Sequence, residues 1–129
     1  MKTGSYIDGT WFHPTGGKRV VKNTNPADTK DTIAEFPAAT KADTLRAIEG
    51  AKKAFEGWRH TPGPTRGRVF ARAAEIARRR KEEIARTMTR EQGKILREAR
   101  GEVDKGIAVF EFYAGEGFRI AGKTLPCEL

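Results

Sequence analysis

Apolar and polar positions change period along this chain, and each change marks an element. Short apolar stretches over Tyr6 to Phe12 and over Lys18 to Val21 flank a turn at Pro14 to Gly17, which predicts a hairpin. Asn23 to Asp28 carries turn chemistry, because asparagine side chains bond locally and Pro26 restricts the residue before it. Thr32 to Pro37 alternates apolar and polar until the proline stops it, so a third short strand is expected at a sheet edge. From Thr40 the period becomes helical. Thr40 and Asp43 make a near capping box, and Leu45, Ile48, Ala51, Phe55 and Trp58 recur at three and four residues, as on one face of an amphipathic helix.

Pro62-Gly63-Pro64 ends that helix, and Thr65 is placed to cap the next, from about Arg66. Its expected apolar stripe is Val69, Ala73, Ile76, Ala77, Ile84 and Met88. On the helical projection Arg80 falls inside the stripe, so a kink or break is expected there. Gly93 supplies a stop, and Ile95, Ala99, Val103, Ile107, Phe110, Ala114 and Phe118 then run at helical spacing to about Ile120. The predicted order is hairpin, strand, then three or four helices. That is an α/β pattern whose helix faces suit a sheet that the chain hardly contains.

Composition changes this picture little. With 129 residues, 37% hydrophobic and 33% charged, the chain is ordinary globular material with a modest core. No apolar run is long enough to cross a bilayer, and Met1 to Thr10 lacks the apolar stretch of a signal peptide, which together predict a soluble intracellular protein with no membrane partner. A lone cysteine, Cys127, cannot form an internal disulfide. The net charge of +8 raises a rival from another class, a basic helical module gripping nucleic-acid phosphates through Arg78-Arg79-Arg80-Lys81. Glu75, Glu82 and Glu83 interrupt that run, no aromatic platform accompanies it, and no nucleic-acid partner is expected. A small scaffold or adaptor without activity is a further reading.

Residues that attract chemistry have plain alternatives. Cys127 lies in a Pro-Cys-Glu segment with no base or oxyanion donor nearby in sequence, and is read as structural. His13 and His60 flank turns and lack further ligands at metal spacing. Gly16-Gly17 and Gly115-Glu116-Gly117 do not follow a strand and open a helix as a phosphate loop does, so they are read as turn and close-packing glycines.

Several blocks carry a resemblance. Ile7-Asp8-Gly9-Thr10-Trp11, then Asn25-Pro26-Ala27 with Ile33-Ala34, then Ala51 to Phe55 with Trp58, stand in order before Thr89-Arg90-Glu91-Gln92-Gly93-Lys94 and Glu98-Ala99-Arg100-Gly101-Glu102-Val103. Phe112 to Glu116 and Gly122 to Pro126 follow at matching separations. The chain resembles the opening of the NAD(P)-dependent aldehyde dehydrogenases.

The resemblance implies a parent several times longer that oxidises an aldehyde to a carboxylic acid. It works through a cysteine thiohemiacetal and thioester, with NAD or NADP as cofactor. The catalytic and cofactor-binding residues lie downstream, so the segment alone is expected to be inactive. Residues 1–125 would form the N-terminal part of the nucleotide-binding domain, its hairpin and outer helices, and 126–129 the start of an oligomerisation arm. A cytoplasmic homodimer or homotetramer is expected. The resemblance also assigns a monovalent-cation site to Asn23, Thr24 and Glu91, the plain alternative for Glu91 being a pairing with nearby arginines. It assigns the mouth of the substrate tunnel to Lys105 and Val109, the alternatives being a surface lysine and a core valine.

Overall fold

The structure, a computed structural model, describes residues 4–13, 19–120 and 122. The chain divides into two compact units, Met1–His60 and Thr61–Leu129.

In the first unit β1 (Ser5–Ile7) pairs antiparallel with β2 (Thr10–Phe12) through the two-residue turn Asp8-Gly9. Both turn residues have positive φ, 50° and 77°, the mirror-image geometry that matches strand twist and that Asp-Gly adopts readily. The Thr10 hydroxyl donates to the Ile7 carbonyl at 3.1 Å. The expected hairpin is therefore corrected. Among the described residues, 6–12 do not pair with 19–21. They fold on themselves, and β3 (Val20–Thr24) pairs instead with β4 (Thr32–Pro37), with a register shift between Asn23 and Thr24. The expected turn at Pro14 to Gly17 lies outside the described residues. Between β3 and β4 the asparagine chemistry is as read: Ala27 N–H donates to Asn25 Oδ1 at 3.0 Å, and Asn25 N–H to the Asp31 carbonyl at 3.0 Å.

Helix α1 (Lys41–Trp58) opens on a complete capping box. Asp43 N–H donates to Thr40 Oγ1 at 3.2 Å, and Thr40 N–H donates back to Asp43 Oδ2 at 2.9 Å. No residue of α1 is fully buried, and its apolar stripe is exposed at Leu45, Ile48, Phe55 and Trp58. The helix turns another face to the β1–β2 turn, where a Cβ added to Gly50 would strike the Asp8 carboxylate.

The second unit holds α2 (Gly63–Arg79), α3 (Lys81–Gln92) and α4 (Leu96–Glu116). Helix α2 begins earlier than expected and is capped by Pro62. Thr65 lies inside its first turn, since Pro64 is favoured near a helix start, where its missing N–H costs no bond. The break at Arg80 is present, with φ −101° and ψ 15°. Gly93 ends α3 in the left-handed conformation at φ 71°. Helix α4 stops at Glu116, short of Ile120, and continues only in turns.

The core of this unit is Ala74, Ala85, Ala99, Val103 and Ile107, with Ala77, Ile84, Met88, Leu96 and Phe110 packed on it. Val69 and Ile76, expected in the stripe, are 54% and 37% exposed. The buried face of α2 is instead its small-residue face, Gly67 and Ala74, because Gly63 and Gly67 let the backbone approach α4 at Ala114 and Gly117. The Thr89 hydroxyl is buried there with no hydrogen-bond partner among the described residues.

Candidate functional site

Helix α4 presents the most distinctive of the expected positions. At 3.6 residues per turn, Ala99, Val103 and Ile107 share the face packed into the core, so Gly101, Lys105, Ala108, Val109 and Phe112 share the opposite one. All five are exposed, Val109 at 44% and Phe112 at 59%. Lys105 makes no ion pair with a described residue, and Arg97, two turns earlier on the same side, makes none either. The sequence reading did not single out Arg97; its spacing of eight residues from Lys105 was the available signal.

Several other cations of α2, α3 and α4 do pair with acids. Arg72 meets Glu75 at 2.7 Å, Lys81 meets Asp104 at 2.7 Å, and Arg80 meets Glu83. Arg78 pairs with Glu111, Lys94 with Glu102, and Arg100 binds Glu82 through two nitrogens. The hydrogen bond from Arg100 holds the Glu82 carboxyl below its usual range, and the bond from Arg80 does the same for Glu83. Of the acids expected to temper the arginine run, Glu83 pairs with Arg80 and Glu75 with Arg79, whereas Glu82 pairs outside the run, with Arg86 and Arg100.

The positions expected to hold a monovalent cation fall in the two separate units. Asn23 and Thr24 end β3 at the register shift, where the ladder is irregular, and Glu91 is an exposed residue in the last turn of α3. His13 and His60 are exposed, and no group of three His, Cys, Asp or Glu side chains among the described residues is arranged to hold a metal. Gly115 and Gly117 sit at the end of α4, and Gly117 packs against Gly63 and Gly67, the close contact expected of them. Gly16, Gly17 and Cys127 lie outside the described residues.

In the first unit an open groove of about 860 Å3 runs between the β1–β2 turn and α1, lined by Asp8, Arg46, Glu49, Gly50 and Lys53. Arg46 stacks over the Phe12 ring at 4.1 Å. Acids and bases mix along its wall and leave no single-sign site.

None of the described helix starts offers a phosphate cradle of the dinucleotide type. Those of α1, α3 and α4 carry acids in the first turn, Asp43, Glu82 with Glu83, and Glu98, and the start of α2 is closed against Gly117.

A sequence profile described as the aldehyde dehydrogenase family matches residues 11–129. The chain is 41% identical to the alpha-ketoglutaric semialdehyde dehydrogenase of Bacillus subtilis (strain 168), over 95% of this chain and 25% of that one. It is 42% identical to malonate-semialdehyde dehydrogenase 1 of Shouchella clausii, over 97% of this chain and 25% of that one. Among solved structures, betaine aldehyde dehydrogenase from Staphylococcus aureus in complex with NAD+ superposes with a TM-score of 0.88 at 29% identity, over 99% of this chain and 25% of that one. An NAD-dependent benzaldehyde dehydrogenase from Corynebacterium glutamicum gives a TM-score of 0.85 at 31% identity, over 96% and 27%. The chain spans about a quarter of the length of the curated relatives it matches.

Proposed function

The chain belongs to the aldehyde dehydrogenase family, and on that premise we propose that the whole protein oxidises an aldehyde to a carboxylic acid with NAD or NADP. The observation that carries this is the family match across residues 11–129, which takes in both compact units. The two curated relatives named above act on semialdehydes, molecules with an aldehyde at one end and a carboxylate at the other. The substrate class proposed is accordingly a short semialdehyde.

The chemistry is placed on segments beyond these residues. The described helix starts do not fit a dinucleotide phosphate, so NAD(P) is assigned to other parts of the protein, where it would accept the hydride. The present chain supplies scaffold: residues 1–125 as the N-terminal part of the nucleotide-binding domain, and 126–129 as the start of the oligomerisation arm. Asn23, Thr24 and Glu91 are proposed as a monovalent-cation site, and Lys105 and Val109 as part of the entrance to the substrate path. The exposure of Lys105 and Val109 on one face of α4 supports the second assignment.

A cytoplasmic homodimer or homotetramer is proposed for the whole protein. Among the described residues no helix is long and apolar enough to cross a membrane.

The test is reduction of NAD or NADP by the full-length protein in the presence of semialdehydes, with the acid product identified. Formation of NADH or NADPH that requires the aldehyde is expected, and the purified 129-residue chain is expected to give none. No aldehyde-dependent reduction of either cofactor by the full-length protein would overturn the proposal.

A further inference from the structure

We draw no further inference here: the strongest candidate, the exposed apolar stripe of α1 formed by Leu45, Ile48, Phe55 and Trp58, carries nothing because nothing among the described residues shows what covers it.

Discussion

Gly67 on α2 lies so close to Ala114 on α4 that a Cβ built on Gly67 would stand 2.5 Å from the Ala114 carbonyl oxygen. Alanine is normally the better helix former by about 1 kcal/mol, yet here it would push two backbones apart. Gly67→Ala is expected to lower stability by about 1–3 kcal/mol, as overpacking does. Gly101→Ala, at an exposed helical position with nothing within 4 Å, is expected to raise it by about 0.5–1 kcal/mol. Urea unfolding of the two variants checks the pair, and a stabilising Gly67→Ala would mean the crossing is looser than described.

The acid side of the stability curve follows from the ion pairs of α3. Glu82 and Glu83 are held below the usual carboxylate range by hydrogen bonds from Arg100 and Arg80, and Asp43 by the Thr40 backbone N–H. A carboxyl that is more acidic folded than unfolded stabilises the fold above the unfolded value, about 4, and that contribution is lost as pH falls through the lower folded value. Stability is therefore expected to decline from about pH 4 downwards, with a modest amplitude that salt reduces, since all three groups are exposed to solvent screening. Glu82→Gln should lower stability at neutral pH and shrink the acid loss. An undiminished acid loss in that variant would assign it to other groups.

Removing the α1 cap isolates one local signal. Thr40→Ala deletes the side-chain half of the capping box and is expected to cost about 1 kcal/mol. Fraying of Lys41 to Thr44, seen as faster amide exchange confined to that turn, is the measurement.

Thr89 offers a gain. Its buried hydroxyl has no partner among the described residues, so Thr89→Val keeps the shape and removes an unpaid desolvation cost. Stability should rise by about 1 kcal/mol in urea unfolding, and a loss would reveal a hydrogen bond made by that hydroxyl.

Exposed apolar surface sets how the chain behaves alone. Leu45, Ile48, Phe55 and Trp58 along α1, and Phe112, Tyr113 and Phe118 in the second unit, are each 44% or more exposed. Contiguous apolar strips of this kind drive association. The purified chain is expected to bind a hydrophobic dye and to sediment faster as concentration rises, with Trp58 emission shifting on association. A monomer that binds no dye at any concentration would contradict this.

Much of the helical half was legible because its signals are local. The capping box at Thr40 and Asp43, the break at Arg80 and the stop at Gly93 depend on residues within one or two turns of each other. The hairpin was misread because the longer Pro14 to Gly17 cluster outweighed Asp8-Gly9, although Asp-Gly between two short apolar stretches is itself a two-residue turn signal, with positive φ at both positions. Val69 and Ile76 were misplaced for a different reason. Periodicity reports which residues are apolar, whereas a close helix crossing selects the small face, Gly67 and Ala74, and leaves larger residues outside. In the site, Lys105 and Val109 share a helix face through their spacing alone. Asn23, Thr24 and Glu91 come from distant parts of the chain, and only resemblance connects them.

The smallness of the helical core has a thermal consequence. Three alanines, one valine and one isoleucine take little hydrocarbon out of water, so the heat capacity released on melting is small, since that quantity tracks newly wetted apolar surface. A small heat capacity flattens the dependence of stability on temperature, and a modest enthalpy broadens the transition. Calorimetry of this segment should trace a low, wide endotherm in place of a sharp peak, with little curvature toward the cold.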